Sequence, residues 1–250
     1  MLSTKPHYRV RPTLEALEDR CVPAGNVTAS LGDSNWGPSL LVTGDNQAND
    51  IRVVVDGLFD VRIEGQNGTT VNGQASVSFS QSREPLVVDL KAGDDNLVVE
   101  VPDSPSPAYL PILDLRTGLD DDSVNVLFAN SYIYGDRLTV DTGKGSDVVT
   151  VNFAGVDYFG GVYFFGDFIL GINAGNGSDA VTMTGSANLG ALAIDLGNGD
   201  DSLTGGTGAI HTNYQRTITG GGGPGFDVLT NTDYFGDPQY FDIRDFEKML

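Results

Sequence analysis

The chain repeats itself, and the spacing of that repeat limits the possible folds more than any single motif does. Clear copies read PLVVDLKAGDDNLVVEV from Pro85, PILDLRTGLDDDSVNVL from Pro111, RLTVDTGKGSDVVTVNF from Arg137 and ILGINAGNGSDAVTMTG from Ile169. They continue as LAIDLGNGDDSLTGG from Leu192 and RTITGGGGPGFDVLTN from Arg216, with a fainter copy, LLVTGDNQANDIRVVV, from Leu40. Each unit is a short apolar run, a Gly/Asp/Asn turn and a second alternating run. Alternation such as Val149-Thr150-Val151 argues for strands, and the Gly–Asp clusters argue for tight turns between them.

With the last Asp of each turn as a marker (Asp50, Asp95, Asp122, Asp147, Asp179, Asp201, Asp227), successive gaps are 45, 27, 25, 32, 22 and 26 residues. Gaps of 22 to 32 residues suit one coil of a parallel β-helix. A propeller blade takes about 40 residues or more, and a β-sandwich does not need the same turn chemistry at every return. The expected fold is therefore all-β, a β-solenoid of about eight coils, each rising about 4.8 Å. The first gap is expected to hide a weaker rung, VRIEGQNGTTVNG, from Val61. Residues 1–24 read as a leader, 25–232 as the solenoid and 233–250 as a C-terminal cap, since an open sheet edge needs cover. Pro102, Pro105, Pro107 and Pro111 fall in one stretch that reads as an irregular loop between coils.

Charge narrows the partners. Asp and Glu number 34 against 14 Lys and Arg, giving a formal net charge of -20. Such a surface repels phosphate backbones and anionic membranes and favours cations. No apolar run of about 18 residues marks a membrane span. The single cysteine, Cys21, leaves the body of the chain without disulfides or Cys-based metal sites.

Within the first 24 residues, LEALEDRCVPA closely resembles the short N-terminal motif of planctomycete extracellular proteins, which runs Leu-Glu-x-Leu-Glu-x-Arg and ends in a small residue. Leu14, Glu15, Leu17, Glu18, Arg20, Pro23 and Ala24 occupy the matching positions. The resemblance implies export to the periplasm or cell surface and implies no activity. Composition alone also fits a short amphipathic helix with Leu14, Leu17 and Cys21 on one side.

Four turns fit Gly-x-Gly-x-Asp: Gly143 to Asp147, Gly175 to Asp179, Gly197 to Asp201 and Gly223 to Asp227, with Val149, Val181, Leu203 and Leu229 two positions later. This resembles the RTX calcium-binding nonapeptide, although here each motif lies 22 or more residues from the next rather than nine. The resemblance implies that Asp147, Asp179, Asp201 and Asp227 ligate calcium, an ion that accepts six to eight oxygens in loose geometry. Stacked coils would place Asp95 and Asp122 in the same column. Asp89, Asp141, Asn173 and Asp195 each lie six residues before a marker and form a second column, while the turn from Asp114 to Asp122 reads as two residues longer. The candidate calcium ligands are thus Asp95, Asp122, Asp147, Asp179, Asp201, Asp227, Asp89, Asp141 and Asp195. The competing reading is that Asp and Asn favour turns by bonding their own backbone, with no ion.

Catalysis is not expected. Asp pairs recur coil after coil, whereas a catalytic site should be a local exception to a repeat. Only His7 and His211 are present, and no nucleophile motif or phosphate loop appears. The one local exception is FAGVDYFGGVYFFGDFIL, which carries Phe153, Tyr158, Phe159, Tyr163, Phe164, Phe165 and Phe168. Those rings either fill the core or form a surface that contacts a glycan or another protein. The sequence thus points to an exported structural or adhesive protein of the cell surface. The alternative is a carbohydrate-binding or carbohydrate-degrading β-helix using residues 153–170.

Overall fold

The computed structural model describes residues 25–56, 60–80, 83–155, 160–212, 216–220, 225–235 and 241–250. The leader, the turn residue Gly223 and the aromatic residues Tyr158 and Phe159 lie outside the described residues. The chain enters through β1 (Asn26–Ser34), β2 (Gly37–Thr43), β3 (Asp50–Asp56), β4 (Asp60–Gly65), β5 (Thr70–Val71) and β6 (Ser76–Phe79). Circuits of three strands follow. They are β7 (Leu86–Asp89), β8 (Asn96–Val101) and β9 (Ala108–Tyr109), then β10 (Leu113–Leu119), β11 (Ser123–Phe128) and β12 (Tyr132–Tyr134). Next come β13 (Arg137–Lys144), β14 (Val148–Phe153) and β15 (Val162–Phe165), then β16 (Ile169–Asn173), β17 (Ala180–Gly185) and β18 (Ala187–Leu189). The chain ends through β19 (Ala191–Asp195), β20 (Ser202–Gly205), β21 (Ile210–Thr212), β22 (Arg216–Thr219), β23 (Val228–Thr230), a 3-10 turn over Thr232–Phe235, β24 (Phe241–Arg244) and β25 (Lys248–Met249).

Successive strands of one circuit join different sheets, and each sheet gains one strand per circuit. One sheet runs β24-β22-β19-β16-β13-β10-β7-β2-β1-β5, the second runs β25-β23-β20-β17-β14-β11-β8-β3-β4-β6, and the third runs β21-β18-β15-β12-β9. From β7 onward every pairing is parallel and in register, for example Leu113↔Leu138, Val124↔Val149 and Ile133↔Phe164. This is the path of a parallel β-helix, as the repeat spacing predicted.

Side-chain alternation builds the core. Leu86, Leu113, Leu138, Leu170 and Leu192 stack as one column, and Leu97, Val124, Val149, Val181 and Leu203 as another, all buried. Each such side chain contributes roughly 1.5–3 kcal/mol relative to exposure. Midway along the stack Phe128 and Phe153 lie 5.5 Å apart and parallel, and Phe164 and Phe168 pack edge-on to Phe128. Three of the aromatic residues in 153–168 are therefore core.

Three local expectations change. Residues 60–79 do not form a regular parallel rung: β4 pairs antiparallel with β3 and β6 antiparallel with β4, while only the short β5 pairs parallel, with β1. An exposed start to a stack needs cover. At the other end, the tail continues the repeat, because β24 and β25 add parallel strands to β22 and β23. The Pro-rich stretch contains β9, the first strand of the third sheet.

The turn glycines are dictated by stacking. Gly118, Gly143, Gly175 and Gly197 occupy one position in successive coils, all with φ between 90° and 110°. A Cβ on Gly175 would overlap the carbonyl oxygen of Gly143, and one on Gly197 that of Gly175. Gly166 shares the backbone, with φ 87°, but has open space around its Cβ position. Gly166→Ala is expected to cost about 1–2 kcal/mol, the left-handed backbone penalty alone. Gly175→Ala should cost several-fold more, because a coil must shift as well. Urea unfolding of the two variants checks the difference, and equal losses would remove the stacking explanation.

Candidate functional site

Six of the nine candidate ligands, Asp95, Asp122, Asp147, Asp179, Asp201 and Asp227, fall in one inward-facing column with exposures of 3% or less. Alternation explains the direction. In each unit the marker Asp stands two residues before a buried Leu or Val, so it shares the core side of the strand. The column extends to Asn49 below Asp95 and to Glu247 above Asp227. Asn49, rather than Asp50, is the marker of the first copy.

Each carboxylate clasps the coil before it. Oδ1 of Asp95 accepts the backbone N–H of Asn49 at 2.6 Å, Asp122 that of Asp95 at 2.9 Å, and Asp147 that of Asp122 at 2.8 Å. Asp179 accepts from Asp147 at 2.8 Å, Asp201 from Asp179 at 2.8 Å and Asp227 from Asp201 at 3.0 Å. Glu247 ends the series by accepting the Asp227 N–H at 2.7 Å. Each of the six Asp residues thus satisfies a buried amide one coil away, whereas the Asn49 side-chain oxygen accepts none.

A second set of carboxylates clasps in the opposite direction. Asp94 accepts the Asp121 N–H at 3.2 Å, Asp121 accepts that of Ser146 at 2.7 Å, and Asp200 accepts that of Phe226 at 2.8 Å. In the Asp94-Asp95, Asp121-Asp122 and Asp200-Asp201 pairs, the first member reaches the following coil and the second the preceding one.

The inner column has an electrostatic cost. Oδ2 of Asp95, Asp122, Asp147, Asp179 and Asp201 is enclosed and accepts no hydrogen bond. Burial disfavours the charged form and outweighs the N–H bond that favours it. It pushes Asp95 and Asp179 up to about 7 and Asp122 and Asp201 up to about 6, and it raises Asp147 and Asp227 as well. Neighbouring carboxylates of the column add to the rise at Asp95, Asp122, Asp179 and Asp201.

The remaining candidates, Asp89, Asp141 and Asp195, lie on the outer face of the first sheet. Register places them in the column Thr43, Asp89, Arg116, Asp141, Asn173, Asp195, Thr219 and Arg244. The turn after Asp114 is therefore not lengthened. Arg116 takes the position that spacing had left to Asp114, and it separates Asp89 from Asp141. Asp114 itself is nearly buried, held by Arg116 at 2.6 Å and by the Trp36 indole N–H at 3.1 Å. Above this face lies an open groove of about 640 Å³ lined by Asp114, Arg116, Asp141, Asn173, Asp195 and Thr219. Asn173 donates to Asp141 at 3.3 Å and Thr219 to Asp195 at 3.0 Å. Burial raises Asp141 here too, with Arg116 opposing.

In the inner column each coil presents one carboxylate, half of it committed to an amide, and carbonyls of Gly143, Gly175, Asn176 and Asn198 in the adjoining turns accept backbone N–H groups. Among the described residues no three His, Cys, Asp or Glu side chains gather as a metal site. On the outer column Asp141 and Asp195 are exposed, Asp89 is paired with Lys91, and Arg116 stands between Asp89 and Asp141.

The aromatic exception divides. Phe153, Phe164 and Phe168 face inward, while Tyr163 and Phe165 face outward on the third sheet. There they meet Tyr109, Tyr132 and Tyr134, which the sequence reading had not joined to them: Tyr109 and Tyr134 stack at 4.8 Å, and Tyr134 and Phe165 at 4.3 Å. The alternation Tyr132-Ile133-Tyr134 was the available signal. No helix among the described residues is long and apolar enough to cross a membrane. No protein-family model, curated protein or solved structure matches the chain.

Two outcomes follow from the inner column. Asp179→Ala leaves the buried Asp147 N–H without an acceptor and should cost about 1–3 kcal/mol in urea unfolding. Asp179→Asn retains the acceptor and should cost less. The pH dependence runs opposite to ordinary acid denaturation. These carboxyls have native pKa values above the roughly 3.9 of an unfolded Asp, so their stabilising contribution is complete below about pH 4 and is lost as pH rises through 6 to 7. The thermal midpoint should fall between pH 5 and pH 8, and a midpoint that rises over that range would contradict the assignment.

Proposed function

We propose that the chain is an exported acidic scaffold of the cell surface, a rod of about eight coils that acts through its length and its outer faces and carries out no reaction. One observation carries this reading: the most repeated polar residues are occupied in joining coil to coil, and none of them converges into a local constellation. Export is supported by the resemblance of LEALEDRCVPA to planctomycete extracellular leaders. Calcium is the cation we assign to the outer face, at the exposed Asp141 and Asp195 beside Asn173 and Thr219, and not at Asp89, which Lys91 pairs. The Gly-x-Gly-x-Asp turns, although they resemble calcium repeats, serve stacking in this reading.

The test is thermal unfolding of the full chain with millimolar calcium and then with excess chelator. Calcium should raise the midpoint by a few degrees, since an ion that binds the native state stabilises it by mass action. The double variant Asp141→Asn with Asp195→Asn should lose the rise, while Asp179→Asn keeps it. No rise in the parent chain would leave a metal-free scaffold. A rise lost only in Asp179→Asn would move the ion to the inner column.

A further inference from the structure

The third sheet carries a recess that the scaffold reading does not use. Its outward column runs Tyr132, Tyr163, Asn188 and His211 in strict register across β12, β15, β18 and β21. At the step from Tyr163 to Asn188 the side chains shorten abruptly, and a pocket of about 310 Å³ opens against the tyrosine, lined also by Ser186 and His211. That volume is at the lower end of ligand pockets, which start at about 300 Å³.

The walls are chemically specific. The neighbouring column, Tyr109, Tyr134 and Phe165, stacks ring on ring with interplanar angles of 10° and 11°, so those faces are already covered. Tyr163 stands at 74° to Phe165 with centroids 5.1 Å apart, so its ring lies across that stack rather than within it. Asn188 brings an amide that both donates and accepts, His211 an exposed imidazole, and Ser186 a hydroxyl whose oxygen accepts the Ala209 N–H at 3.2 Å. Among the described residues no carboxylate, lysine or arginine lines the pocket, although the chain as a whole carries a net charge of -20. A cationic ligand gains no partner there, and an anionic one is repelled by the surrounding protein.

We infer that this pocket binds a neutral hydroxylated sugar ring, with Tyr163 against the ring's C–H face and Asn188, His211 and Ser186 bonding its hydroxyls. The inference goes beyond the scaffold reading and is independent of calcium. It would make the rod a tether for a neutral surface or environmental polysaccharide. A site for one ring is weak, with dissociation constants on the order of millimolar.

The test is calorimetric or NMR titration of the full chain with xylohexaose, cellohexaose and mannohexaose, with oligogalacturonate as the anionic control. At least one neutral oligosaccharide should bind. Tyr163→Ala should weaken binding about tenfold and His211→Ala about fivefold, while Asp141→Asn leaves it unchanged. His211 is exposed, so its variant keeps the test decisive if Tyr163→Ala fails to fold. Absence of binding by all three neutral probes, binding confined to oligogalacturonate, or binding indifferent to His211→Ala would overturn the inference. The double variant Asp141→Asn with Asp195→Asn also separates this site from the calcium reading: lost calcium response with retained sugar binding distinguishes the two.

Discussion

The fold depends on a buried backbone amide at the corner where each coil leaves the first sheet for the second. Strands satisfy their own N–H groups through parallel ladders, but a corner interrupts the ladder, and a buried amide without an acceptor is costly. Coils stacked in register raise the same difficulty at the same place in every turn. Here an inward Asp from the next coil answers it each time, from Asn49 through Asp201, and Glu247 closes the last one. The glycines follow from the same close approach, since a Cβ at Gly143 or Gly175 would overlap the previous coil's carbonyl.

That solution carries an electrostatic penalty. Placing a carboxylate in a dry column exposes it to desolvation and to its neighbours above and below. A protonated column removes both, and the buried Oδ2 atoms are consistent with that state. Below about pH 6 the folded rod therefore carries less negative charge than an unfolded chain at the same pH. The charge that meets solvent sits on the turns' first carboxylates, such as Asp94, Asp121 and Asp200, and on the outer face of the first sheet. Those are the surfaces on which an ion or partner would act.

Much of this was legible in the sequence. Repeat length gave the coil, alternation gave the strands, and equal spacing to the markers gave both Asp columns. The direction of the inner column was also readable, because Asp95 precedes Leu97 by two residues and Asp147 precedes Val149 by two, which puts each on the core side. Asp in a Gly-rich turn suits ion ligation, turn formation and amide capping alike, so residue type alone does not separate these roles. Register at the ends was less legible. Asn49 substitutes for Asp in the first copy, Glu247 in the last, and the hairpin of β4 and β6 alternates as a rung would, so only pairing direction separates them. The aromatic surface was half legible, because Tyr109, Tyr132 and Tyr134 join Tyr163 and Phe165 only when three circuits are stacked.

The repeated Asp residues act as coil-to-coil amide acceptors. Site-resolved hydrogen exchange of the backbone amides of Asp95, Asp122, Asp147, Asp179 and Asp201 tests this role most directly. Slow exchange, comparable to the core strand amides of Val126 and Val151, is the predicted result, with Asp147 alone accelerating in Asp179→Ala. Exchange at the rate of solvent-exposed turns, unchanged by that substitution, would contradict the account.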